Sequence, residues 1–515
     1  MITVNEAFSK LHQNIGKNSK IAFASAMLAG LLTHMSALTS DFPNHDGLAS
    51  QYFDQNMITS GRWFLGTACS VTSYYSLPWL IGILSVFYIA LACMALVKIL
   101  KIKNPVFTAL ISILVAVFPS LASNFAYVFT MDGYMLGMLL CVLAVLVTSS
   151  DRRSSWIFGA VLLAFGMGCY QSYICIAMIL SFYKVIEYLF IDDTLKNKLG
   201  YALKYLGMGA AGVGLYYLLL KVLLYIQGKT LDTYQGINGM SSGNGVGLPG
   251  TIKLMYTDFI TFSTGKVVLP NIAVAIFLAI VLIVAGILLI GKAFKSGNLK
   301  KPLFYIAFAA SLILIPCLMN AILIISADVT YHVLMRYQWA FLISVLIAVI
   351  DHNVDDAGLF GTIAGWLCAV SLLVISFSYV VTDNIAYSNL QKKYEKTYSY
   401  CLRLADRIEQ TEGYYSGIPI AMVGVVGNDS YPVTDVTDKI TGALLGVSGD
   451  YLLYKSENYA DFYKYYMGIS FNMLSSDEVV NFYNEDFYAG MESFPGETSV
   501  LYHDGVIYVK TENIR

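Results

Sequence analysis

The stretch "SLPWLIGILSVFYIALACMALVK", residues 76–98, is uncharged until its final lysine and is apolar on every face rather than along one stripe. About 20 such residues in helical form cross the hydrocarbon of a bilayer. Working outward, the same pattern recurs at 20–38, 105–121, 125–148, 155–170, 172–190, 200–226, 269–291, 302–326, 333–350 and 359–382. The 515-residue chain is 57% hydrophobic and 13% charged, with a mean hydropathy of +0.63. It is therefore expected to be a polytopic α-helical membrane protein with about 11 transmembrane helices and the lipid bilayer as its first partner. Lysines before 20–38 imitate a signal peptide, but many spans follow and no A-x-A site is seen, so this segment reads as a retained first helix.

The positive charges are unevenly divided between the loops. One side carries Lys10, Lys17, Lys20, Lys98, Lys101, Lys103, Arg152, Arg153, Lys196, Lys198, Lys292, Lys295, Lys300 and Lys301; the other has Arg62, Lys229, Lys253, Lys266 and Arg336. This bias puts the N-terminus in the cytoplasm. An odd number of spans then leaves outside the first loop (39–75), the long loop 227–268 and everything after 383. The chain divides into a membrane domain, 1–383, and a small extracytoplasmic α/β domain, 384–515. That tail has a helix-like run at 386–411, a strand-like "IPIAMVGVVG" and a hairpin signal in "SVLYHDGVIYVKT", where Asp-Gly separates two alternating runs. Its eighteen Asp and Glu against ten Lys and Arg disfavour capture of a polyanion, so no nucleic acid partner is expected. Most cysteines lie inside apolar runs without metal-ligand spacing and read as small hydrophobes.

Polar chemistry gathers at the outer ends of the spans. "TSDFPNHDGLASQYFDQNMITSGRWF", residues 39–64, holds Asp41, Asp46, His45 and Arg62 around Pro43. Residues 46–58 predict an amphipathic helix on the outer surface with Asp46 as its N-cap; capping and interfacial anchoring are the bland alternatives. Asp132, in "FAYVFTMDGYML", is costly in hydrocarbon unless it meets a cavity or partner, so it is expected to share a cavity with Asp46; a helix break at Asp-Gly is its structural alternative. "YQSY" offers Tyr170 and Gln171 as neutral groups suited to a sugar, although tyrosine is also an ordinary interface residue. "TYHVLMRYQW" spaces His332 and Arg336 four apart, hence on one helix face at the outer end of the tenth run, where they could hold a phosphate; an interfacial arginine snorkelling to the headgroups is the bland alternative. "GVGLPG" formally fits a dinucleotide loop but lacks the flanking strand and helix, and the glycine-rich 227–268 loop reads better as a mobile flap.

"NHDGL", "DQNM", "SGRW", "MDGYML" and "YQSY", in this order, resemble the GtrII-type bacterial membrane glucosyltransferase family over roughly 20–380. The resemblance implies a GT-C-like bundle in the bacterial cytoplasmic membrane, moving a hexose such as glucose from an undecaprenyl-phosphate-linked donor to a cell-surface glycan or wall polymer. It assigns the catalytic carboxylate to Asp46, a second acid to Asp132 and a structural or phosphate-facing role to Arg62; beside these, Asp41 is the other candidate for the catalytic base, and Asn44 and His45 are candidate substrate-binding residues. Inverting transfer needs a base for the acceptor and donors for the departing phosphate, so no cofactor is required. Asp41, Asp46 and Asp132 could act as oxygen ligands to a divalent cation, but nothing in their spacing demands one. The rival readings are a lipid-linked-saccharide flippase or transporter, and a polysaccharide polymerase or ligase. Transporters favour polar residues at mid-depth and inverted repeats, whereas these groups gather at one face.

Overall fold

The computed structural model of the chain describes residues 3–6, 13, 15–44, 46–48, 56–72, 75–233, 247–325, 331–423, 452–453 and 455–511. The fold is mostly helical. Chain order runs α1 (Lys17–Thr39), a short α2 (Leu65–Cys69), α3 (Pro78–Ile99), α4 (Pro105–Ala116), α5 (Ser120–Phe125), α6 (Val128–Thr148), α7 (Ser155–Cys169), α8 (Ile174–Leu189) and α9 (Leu195–Gln227). It continues through α10 (Gly247–Ser263), α11 (Ile272–Lys295), α12 (Pro302–Met319), α13 (Ile322–Ile325), α14 (Gln338–Asp351) and α15 (Gly358–Glu409).

An apolar helix thus lies at each of the eleven expected positions, and among the described residues eight are long and apolar enough to cross a membrane. The other three, α4, α7 and α14, have 12, 15 and 14 residues. Twelve residues extend only about 18 Å, short of a hydrocarbon core of about 30 Å. Local chemistry explains the shortfall. The expected span 105–121 breaks before Pro119, and the expected span 333–350 opens with a 3-10 turn, Val333–Met335, instead of helix.

One end of the bundle collects the lysine-rich connections. Asp351 accepts from the backbone N–H of Lys103 and Asn104 at 2.8 and 3.0 Å, Asn18 donates to the Ile102 carbonyl at 2.8 Å, and Lys101 pairs with Glu187 at 3.0 Å. Deeper in the bundle, His34 of α1 is fully buried against the ring of Phe125. Its Nε2 lies 2.9 Å from the Ala116 carbonyl and its Nδ1 2.6 Å from the Tyr387 hydroxyl. A carbonyl can only accept, so Nε2 carries the proton and Nδ1 accepts from Tyr387. One imidazole thereby ties together α1, the end of α4 and α15.

α15 spans 52 residues and passes residue 383 without a break, so the last apolar span and the helical run expected at 386–411 are one rod. At 1.5 Å per residue it is about 78 Å long, far more than a bilayer core needs. Its far end packs on a four-stranded sheet, β1 (Pro419–Val423), β2 (Asn472–Met473), β3 (Val500–His503) and β4 (Val506–Lys510), ordered β2-β1-β4-β3. β1 runs parallel to β2 and β4, and β3 antiparallel to β4. The strand expected in "IPIAMVGVVG" is β1, and the Asp-Gly hairpin is β3–β4. Asp504 and Gly505 take φ values of 44° and 82°, the left-handed pair a two-residue hairpin turn requires. Strand alternation sends Ile420 and Met422 to the α15 side, while Ala421 and Val423 pack with Val479 and Tyr488 on the other.

Candidate active site

The end of the bundle opposite the lysines is built by the first loop. Residues 46–48 form a turn, and Asn44 closes it by accepting from the Gly47 N–H at 2.9 Å. Asn44 is fully buried, so it shapes the turn rather than meeting substrate. Asp46 is exposed on the turn. The amphipathic helix expected over 46–58 is not seen in its described parts: 46–48 is a turn and 56–57 is not helical, while 49–55 and His45 lie outside the described residues. Asp41 is exposed just after α1, and its carboxylate acts electrostatically on the Tyr394 phenol of α15.

The chain then turns through a 3-10 helix, Ile58–Ser60, and Gly61 at φ 79°. Three contacts dock this turn: the Tyr216 hydroxyl donates to the Gly61 carbonyl, Gln171 Nε2 to the Ser60 carbonyl, and the Phe64 N–H to the Gly168 carbonyl, at 2.9, 2.8 and 2.9 Å. Trp63 crowds Gly168 so closely that a Cβ there would lie 2.7 Å from its ring. The "SGRW" segment is therefore a fixed platform. Arg62 projects from it, donating through Nη1 to the Tyr134 hydroxyl at 2.9 Å. Its guanidinium sits 4.9 Å from the centroid of the Tyr170 ring, which stacks on Tyr134 at 4.5 Å. Tyr170 and Gln171 are buried and act on Arg62 and its turn, not as an open sugar platform. Asp46 and Arg62 thus stand on successive turns of the first loop, Asp46 exposed and Arg62 held on the platform.

Asp132 does not belong to this group. It lies two residues before Tyr134 on α6, about 200° around the helix, and so faces the other way. Its carboxylate is 1% exposed and accepts from Thr72 Oγ1 at 3.3 Å, from the Gly133 N–H at 2.9 Å and from the Cys69 thiol. The Asp-Gly pair causes no helix break. Gly133 instead lets α2 approach, since a Cβ there would lie 2.7 Å from both Cys69 Sγ and Leu65 Cδ1. The cost of the buried carboxylate is thus met by hydrogen bonds that pin residues 65–72 onto α6. Among the described residues no three His, Cys, Asp or Glu side chains converge, so Asp41, Asp46 and Asp132 form no joint cation site. Asp132→Ala is expected to lower stability by about 1–3 kcal/mol in thermal melting, because it leaves buried donors unpaired. Asp132→Asn, which keeps acceptor capacity, is expected to retain transfer activity; loss of turnover in a stably folded Asn variant would restore Asp132 to the chemistry.

His332 and Arg336 share no helix face, because residues 333–335 form a 3-10 turn and α14 starts only at Gln338. His332 is exposed. Arg336 meets Asp258 in a two-pronged pair, Nη2 to Oδ1 at 2.8 Å and Nη1 to Oδ2 at 3.0 Å, while Nε and Nη2 donate to the Tyr331 carbonyl. The rings of Phe262 and Tyr331 cover it at 4.6 and 4.2 Å. Burial holds the Asp258 carboxyl above its ordinary range against the opposing pull of Arg336. Asp258 lies on α10, inside the stretch expected to be a mobile flap; Met255, Phe259 and Phe262 at helical spacing were the available sign of a helix there. Residues 234–246 lie outside the described residues.

With the geometry in hand, comparison with known families is informative. The family model for glucosyl transferase GtrII matches residues 35–347, more than half of the chain.

The chain belongs to the GtrII glucosyl transferase family.

The match runs from the end of α1 to α14 and so takes in Asp41, Asp46, Arg62, Asp132, Tyr170 and Arg336, while α15 and the sheet fall beyond it. No curated protein and no solved structure matches the chain. Membership makes this chain a glucosyltransferase.

Proposed function

We propose that this glucosyltransferase is a GT-C-like inverting enzyme of the bacterial cytoplasmic membrane that transfers glucose from an undecaprenyl-phosphate-linked donor to a cell-surface glycan on the outer face. The observation that supports the reading is that the first loop presents Asp46 on an exposed turn and Arg62 on a docked platform against Tyr134, at the end of the bundle away from the lysines. Asp46 accepts the proton of the acceptor hydroxyl as its oxygen attacks C1 from the face opposite the phosphate. The C1–O bond breaks, its electron pair leaves with the lipid phosphate, and Arg62 stabilises that developing charge. No cofactor enters this sequence. The lysine bias supports a cytoplasmic N-terminus and an external domain built on residues 384–515.

Purified protein in vesicles is expected to transfer labelled glucose from undecaprenyl-phosphate glucose and not from a nucleotide sugar alone. Transfer from the nucleotide sugar in the absence of the lipid would overturn the donor assignment. A reporter fused at residue 515 is expected to read out on the external side; a cytoplasmic signal would move the whole site to the other face.

A further inference from the structure

The turn that carries Asp46 is held from outside the family-matched region. Phe42 packs against Tyr394 of α15 with ring centroids 5.2 Å apart, and Asp41 acts on the same phenol. Leu48, fully buried, belongs to one apolar cluster with Ala386 and Leu390 of α15 and Ala126 of the α5–α6 corner. Phe42 also lines a small crevice with Tyr387 and Leu390. Phe42, before the turn, thus meets the helical stretch 386–394, and Leu48, after it, lies in the same apolar cluster as that stretch. That stretch is rigidly mounted. Below, Tyr387 is tied to His34, and Asn384 donates to the Thr33 carbonyl at 3.2 Å. Above, Tyr394 touches Phe462 and Tyr466 of the C-terminal domain at 5.8 and 5.9 Å.

We propose that residues 386–394 of α15 form the positioning element for the Asp46 turn, with Tyr394 as its principal residue, so that the enzyme's working site includes a segment beyond the family match. The assignment rests on Asp46 as the base. Asp46 sits on an exposed turn, and proton acceptance requires its carboxylate within hydrogen-bond reach of the acceptor hydroxyl, so the placing of the turn sets the placing of the base. A small displacement of a positioned group is enough to cost a large part of the rate. Tyr394 supplies the wall through its ring, whose centroid lies 5.2 Å from that of Phe42 at a tilt of 51°. The C-terminal domain buttresses the same ring from above, which links it mechanically to catalysis.

The test uses full-length protein with Tyr394→Ala and Tyr394→Phe, read in two independent ways. The Ala variant is expected to lose about 10-fold in kcat while its KM for undecaprenyl-phosphate glucose stays within about twofold, and Phe is expected to restore kcat, since a positioning loss acts on the transition state more than on donor binding. Separately, amide hydrogen exchange at residues 42–48 is expected to quicken in the Ala variant, with α1 and α6 unchanged. Unchanged exchange in 42–48, or a general loss of protection, overturns the positioning role whatever the activity. Faster exchange confined to 42–48 without any change in kcat leaves the wall in place but removes Asp46 as the base, so the two assignments fail separately.

Discussion

Asp46→Asn is expected to lower glucosyl transfer by roughly 10²–10⁴-fold while donor binding and thermal melting stay near those of the unaltered enzyme. The size follows from removing a general base: the amide cannot accept the proton of the acceptor hydroxyl, so attack on C1 proceeds through a poorer nucleophile. The fold is expected to survive because the turn is closed by Asn44 and flanked by Phe42 and Leu48, none of which the substitution alters. Asp41→Asn provides the contrast. Asp41 precedes Pro43 and lies outside the turn at 46–48, so its substitution is expected to change turnover by only a few fold. Purified variants assayed for transfer and, separately, for binding of undecaprenyl-phosphate glucose decide the matter. Near-normal turnover by Asp46→Asn sinks the base assignment, and an inactive Asp41→Asn moves the base to Asp41.

The second large effect is on stability. Arg336 and Asp258 are 12% and 15% exposed, and the guanidinium is enclosed by two rings and a carbonyl. Removing either partner leaves a poorly solvated charge, a loss on the order of 3 kcal/mol, somewhat reduced by the residual exposure. Arg336→Ala and Asp258→Asn are therefore each expected to lower the melting temperature in detergent. A double Leu variant is expected to recover part of the loss, because an apolar pair needs no solvation. If Arg336→Ala melted normally but lost donor binding, Arg336 would be a phosphate ligand instead of a clasp between α10 and the entry to α14. The reading as a clasp follows from its donors: Nε, Nη1 and Nη2 are all engaged within the protein.

Helix positions, the C-terminal strand and hairpin, and the family were legible in the sequence, because each depends on chemistry local in the chain. Span placement follows from unbroken apolar runs that no soluble surface tolerates. The turn at Asp504-Gly505 follows from two residues that accept left-handed backbone. Asp132 drew attention for a sound reason, its cost in hydrocarbon, and the cost is indeed met. How it is met was not legible, because its partners Thr72 and Cys69 lie some sixty positions earlier and the direction of a side chain on α6 depends on what packs there. Only the tertiary structure brings Thr72 to Asp132, pairs Arg336 with Asp258, and sets α15 behind the Asp46 turn. The physical reason is common to all three. Solvation cost says that a polar group must have a partner, and periodicity says which face of a helix it occupies, but which distant group supplies the partner is decided by the packing of whole helices, a property of the complete chain and not of any stretch of it.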